Sequence, residues 1–161
     1  MEDDDDDVSQ KVVKWMEMLK KGLGHELEAR IFDGVQMDHV EKGLIRCKSV
    51  VPKHLSDKDG NWHVGAMATL IDAIGAAAIF SSAPQVKASV LLDISYFSTA
   101  KIQEEVEIEA KVVRHKGRLL AAVVVINKKG STEMVALGKL WMTSSNVQHP
   151  PTTSKINPSK L

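Results

Sequence analysis

Apolar and polar positions change rhythm along this chain, and each change marks an element. Over residues 8–21, Val8, Val12, Trp15, Met16 and Leu19 recur on one helical face, and Gly22 and Gly24 close the segment. Residues 29–39 and 43–51 alternate partly, as two strands would, and 52–62 form a polar, glycine-containing loop. From 63 to 82 the pattern is apolar on nearly every side, predicting a buried helix that Pro84 stops. Ala and Gly dominate that helix, so a sheet can approach it closely and should wrap it. Beyond it the period becomes two, and 87–98, 104–114, 118–127 and 132–143 read as four meandering strands joined by short turns. In "EEVEIEAKV", Val106, Ile108, Ala110 and Val112 face inward while Glu105, Glu107, Glu109 and Lys111 face water. "LLAAVVVI" is apolar throughout, as for a central strand, and "KKGS" at 128–131 is a hairpin turn. The expected class is α+β: a curved antiparallel β-sheet around a long central helix. The segments divide as 1–28, an acidic tail with an N-terminal helix; 29–145, the main domain; and 146–161, a flexible tail.

Composition narrows the function classes. A chain of 161 residues suits one domain, and 43% hydrophobic with 26% charged residues is ordinary for a globular protein. Three Trp, three Phe and one Tyr are too few for a nucleic-acid stacking platform. The lone Cys47 cannot form an internal disulfide, points to a reducing compartment and sits in strand alternation as a packing residue. Residues 2–7 are six consecutive acids, expected to be a solvated, disordered tail. Removing those six from the 21 acids leaves 15 against 21 bases, a mildly basic body suited to an anionic small ligand. The N-terminus lacks the features of a secretory or mitochondrial leader. Residues 65–83 approach the length of a membrane span, but Asp72 near the centre would cost roughly 3 kcal/mol there, so no membrane is expected. The final Ser159, Lys160 and Leu161 form a peroxisomal address tripeptide on a polar, Pro-containing tail. The expected location is the peroxisome through its import receptor, with the cytoplasm as the alternative.

Several chemistries fail on spacing. "DKDGN" resembles the opening of a calcium loop, but its sixth and twelfth positions are Trp62 and Ala68, not Gly and Glu. The histidines at 25, 39, 54, 63, 115 and 149 form no ligand pair, so no metal is expected. No G-x-S-x-G elbow, phosphate loop or dinucleotide fingerprint is present. What remains is the opening of the long helix at His63, Val64 and Gly65. Free N–H groups at a helix start suit a developing oxyanion, and a thioester carbonyl on the Val64 N–H would be polarised. Asp72, the only charge between 64 and 80, then has the chemistry to attack or to activate water. It lies roughly 12 Å along the axis from Val64, so the pair would meet only across an antiparallel second copy. From the residues alone, Asp72 reads equally well as a buried acid satisfied by Ser, Thr or backbone donors.

The segments "DGNWHVGAMATLIDAIGAAA" and "SVLLDISYFSTAKIQEEVEIEAKVV" resemble the hotdog-fold acyl-coenzyme A thioesterases, in the thioesterase 13-like and phenylacetate-pathway branch. The similarity covers about 29–143. The family pattern N-x-x-G-x-x-H-G-G, with an acid seven residues after the second glycine, is met at Gly60, His63, Gly65 and Asp72. The resemblance implies the hotdog fold and hydrolysis of an acyl-CoA in lipid metabolism. Under it, Asp72 is nucleophile or general base, the Val64 N–H is the oxyanion donor, and Ser89 orients water or Asp72. Tyr96, Phe97, Ser98, Thr99, Ala100 and Lys101, with Lys116, Gly117, Arg118 and Leu119, fall where the family contacts coenzyme A. Lys101, Lys116 and Arg118 would meet its phosphates. No cofactor is implied, since coenzyme A is part of the substrate. A homodimer with shared sites, and a homotetramer, follow by the same resemblance. Two positions depart: the family's asparagine is Asp57 and its first motif glycine is Val64. Asp57 brings negative charge toward the site; alternatively Asn61 supplies the amide from a reshaped loop. A non-catalytic acyl-CoA-binding module is the competing expectation.

Overall fold

The computed structural model describes residues 2–23, 26–86 and 88–144. Helices α1 (Glu2–Lys20) and α2 (Glu26–Ile31) precede the strands β1 (Val35–Glu41) and β2 (Leu44–Val50). A loop with one 3-10 turn, Lys53–Leu55, leads into α3 (Val64–Ser82). Strands β3 (Ala88–Tyr96), β4 (Glu105–Lys116), β5 (Leu119–Lys128) and β6 (Met134–Thr143) complete the order. The peroxisomal tripeptide and its tail lie outside the described residues.

All strands join one antiparallel sheet in the order β1-β2-β4-β5-β6-β3. The expected meander is therefore corrected: β3 crosses to pair with β6, and β4 pairs with β2. The strand expected from residue 29 is also corrected, because 26–31 is helical. Glu26 and Glu28 in its first turn and Arg30 in its last suit the helix dipole, and Arg30 bonds Glu26 at 2.5 Å. Nor is the acidic run a separate tail. Its residues open α1, which begins at Glu2.

The core forms where α3 lies across the concave face. Its buried Leu70, Ile71, Ile74, Ala77 and Ala78 meet Ile45, Ile108, Val124, Ile126 and Ala136 from the strands. Small residues set this distance, as expected. Gly138 shows how close the layers come: a Cβ there would lie 2.3 Å from Ile71 Cγ2. Although α3 is long and apolar enough to cross a membrane, its buried side is packed against the sheet. This is the expected α+β hotdog arrangement.

The sheet's two outer strands are treated differently. Along β1 runs α1, with Ser9 Oγ donating to Val40 O at 3.0 Å and Lys20 Nζ to Val35 O at 2.5 Å. These anchors are spaced so that helix and strand each advance roughly 16 Å between them. Val12 and Met16, fully buried, tie the helix into the main core. At the other side β3 carries Val90, Leu91 and Leu92 at 50%, 55% and 37% exposure. An apolar outer strand left open is a ready template for pairing.

Candidate active site

The loop before α3 is organised by Asp57. Its Oδ1 accepts the backbone N–H groups of Asp59 and Asn61, both at 2.9 Å, and its Oδ2 accepts from Asn61 Nδ2 at 3.3 Å. The Asn61 N–H is the main cause that holds this carboxyl below its ordinary 3.8; burial, next in size, opposes it, and the Asp59 N–H, the Asn61 amide and His63 add to the lowering. Asp57 and Asn61 thus bind each other within the loop. Gly60, at φ 77, lets the chain turn back, and the Trp62 N–H donates to Ala100 O at 2.7 Å. This seats the loop against the segment 96–101.

His63 is the N-cap of α3: in an extended conformation (φ −65, ψ 129), its Nδ1 accepts the Gly65 N–H at 3.0 Å. Among the described hydrogen bonds, none engages the Val64 N–H, and Val64 is 53% exposed. Its carbonyl accepts the Tyr96 hydroxyl at 3.0 Å. Partial burial holds the Tyr96 phenol above its ordinary 10.0.

Farther along α3, Ala68, Asp72 and Ala76 follow Val64 at four-residue spacing, with Val64 and Asp72 facing β3. Ser89 Oγ donates to Asp72 Oδ1 at 2.9 Å. Ala68, Thr69, Asp72 and residues 89–92 line an open depression of about 440 Å³ between α3 and β3. Thr69, three residues before Asp72, was missed in the sequence; its hydroxyl donates to Gly65 O at 2.9 Å. Its helical spacing from Asp72 was the available signal.

The expected coenzyme A contacts fall into two groups. Tyr96, Phe97, Ser98, Thr99, Ala100 and Lys101 lie by the start of α3, where Asn61 bridges to Lys101. Lys116, Gly117, Arg118 and Leu119 form the β4–β5 turn, with Gly117 at φ 59 and Leu119 paired to Thr143, itself paired to Ala88. That turn is beside the beginning of β3, and so beside Ser89. The length of β4 keeps the two groups roughly 35 Å apart along the strand. One protomer thus places Asp72, Ser89 and 116–119 toward one end, and Val64 and 96–101 toward the other.

Comparison with known proteins gives consistent matches. The family model described as the thioesterase superfamily matches residues 59–135. The chain is 31% identical over 113 residues to the Mus musculus acyl-coenzyme A thioesterase 13, covering 68% of this chain and 79% of that protein. Its fold is similar to the crystal structure of mouse thioesterase superfamily member 2, with a TM-score of 0.74, 26% identity and coverage of 85% and 97%. The zebrafish member 2 structure gives a TM-score of 0.75 at 24% identity, over 83% and 98% of the two chains.

Proposed function

The chain belongs to the thioesterase superfamily as a hotdog-fold thioester hydrolase of the acyl-coenzyme A thioesterase type, and from this premise we propose how its residues divide the reaction between two subunits. Two copies pair through β3, which sets the α3 helices side by side and antiparallel. Asp72 of one copy then faces the Val64 N–H of the other. The same symmetry brings the turn 116–119 toward the partner's segment 96–101, assembling a coenzyme A site with Lys101, Lys116 and Arg118 for the phosphates.

The acyl-CoA carbonyl oxygen accepts from the Val64 N–H at the positive end of α3, where negative charge develops. Asp72 either attacks the carbonyl carbon or takes a proton from a water that does so. In the water route the tetrahedral intermediate collapses with cleavage of the C–S bond, and Asp72 returns the proton to the coenzyme A thiolate. Ser89 fixes the carboxylate throughout. The Gly65 N–H is occupied by His63, which leaves Val64 to the substrate. Coenzyme A enters only as the leaving part of the substrate, and the route as drawn uses side chains, backbone and water.

The observation that carries this reading is that Asp72, oriented by Ser89, opens on an uncovered face roughly 12 Å from its own Val64. One experiment tests it. Val64→Pro deletes the N–H at the first helical position, where Pro is favoured, and the extended backbone of His63 accepts a following Pro. Pure Asp72→Asn and pure Val64→Pro proteins should each be nearly inactive. Refolded together at equal amounts, they form mixed dimers with one intact site, and about a quarter of wild-type activity should return. If mixing restores nothing, the sites are not shared.

A further inference from the structure

The peptide joining Val64 to Gly65 is held at both ends by side chains. Its C=O accepts the Tyr96 hydroxyl at 3.0 Å, and its N–H donates to His63 Nδ1 at 3.0 Å. Tyr96 comes from the outermost strand and His63 from the loop, so two separate elements grip one peptide plane. We propose that Tyr96 is a positioning residue for thioester hydrolysis, acting with His63 to fix the first turn of α3 so that the Val64 N–H stays aimed at the substrate carbonyl. This rests on the assignment of that N–H as oxyanion donor.

The need for such a grip follows from the local structure. First turns of helices lack backbone partners and fray. Val64 is 53% exposed, so packing of its own side chain gives little restraint. Gly65 adds backbone freedom, and a Cβ there would lie 3.2 Å from His63 Nδ1 and crowd the cap. An oxyanion donor contributes only if it is aligned before the charge develops. Fixing the Val64–Gly65 plane fixes one side of Val64, and the His63 backbone, whose N–H donates to Leu55 O at 2.8 Å, fixes the other. The family resemblance assigns Tyr96 to coenzyme A, but its hydroxyl is committed to the protein's own backbone. It also links β3, the strand proposed for pairing, directly to the donor.

Tyr96→Phe removes the hydroxyl and keeps the ring. Steady-state kinetics with an acyl-CoA series, together with inhibition by free coenzyme A, separate the two roles. Positioning predicts a fall in kcat of about tenfold, with KM and coenzyme A inhibition within about twofold of wild type. A kcat within twofold of wild type, or a loss confined to coenzyme A affinity, would overturn the proposal. For His63, Asn restores an N-cap acceptor and Ala does not. Accordingly, His63→Asn should recover most of the kcat that His63→Ala loses; equal behaviour of the two variants would remove His63 from the grip. Hydrogen exchange over residues 63–68 should quicken in Tyr96→Phe, and unchanged exchange counts against positioning. Asp72→Asn serves as the control: if it stays active the underlying mechanism fails, whereas a normal Tyr96→Phe beside an inactive Asp72→Asn sinks this inference alone.

Discussion

Ser89 reaches Asp72 because β3 is irregular at Val90. Leu91 is opposite Trp141 in β6, yet Ser89 is opposite Met142, so two steps on β3 match one on β6. Without the extra residue, Ser89 would share the outer face with Leu91, Asp93 and Ser95. The bulge turns it to the face of Leu92, Ile94 and Tyr96, where α3 lies. The 2.9 Å contact with Asp72 is the result.

Ser89→Ala should lower kcat by about tenfold or more, since a hydrogen bond to a charged group contributes roughly 1.5–3 kcal/mol. The KM should change little. In a double-mutant cycle, Ser89→Ala made in the Asp72→Asn background should cost almost nothing further. Additive losses would mean that Ser89 acts elsewhere. The measurement is kcat for the four proteins on one acyl-CoA.

Gly138→Ala should destabilise the fold by about 1–3 kcal/mol, because its methyl would collide with Ile71 Cγ2 in a packed core. Chemical denaturation at fixed protein concentration measures it. Ile71→Leu, which has no branch at Cβ and so lacks Cγ2, should return part of the loss when combined. A fully tolerated Gly138→Ala would show that α3 and β6 separate easily.

Asp57 predicts an acid-side signature. Its carboxyl is held below its ordinary 3.8 in the folded chain. A depressed folded value contributes stability above the unfolded value and loses it as pH falls through the folded one. Asp57→Asn has no such titration. The stability difference between wild type and variant should be constant above about pH 5 and shrink on acidification below the ordinary carboxylate range. A difference that grows toward low pH would contradict the loop geometry.

Cys47 is 2% exposed, and burial, with a smaller contribution from Asp38, pushes its thiol from 9.0 up to about 12. Native protein at about pH 8 should resist iodoacetamide, because the thiolate is the nucleophile. Unfolded protein should take up one equivalent per chain, from its single cysteine. Mass spectrometry of both states checks this.

Much of this was legible in the chain because periodicity reports burial. The central helix and β3 to β6 stand within a few residues of their expected limits. Where signals were weak, the reading failed. At 26–31 a helix of six residues leaves only Ile31 fully buried, too short to display a period. The strand order depends on which faces α3 covers, a tertiary matter that no local pattern carries. Asp72 stood out as one charge in an apolar run. Ser89 is set beside Asp72 only through the resemblance, since a bulge leaves no mark in an apolar-polar pattern. The split of the coenzyme A residues likewise appeared only once β4 separated them.

The placement of α1 along β1 has a consequence for assembly in the cell. A flat array of strands able to accept neighbours at both margins is a monomer with two functional groups, and such monomers polymerise. With Ser9 and Lys20 occupying the carbonyls of Val40 and Val35, that margin is closed to a further strand, while β3 stays open. Removing the first helix would strip both contacts from β1 and leave a second exposed edge, the arrangement that invites strand addition between copies.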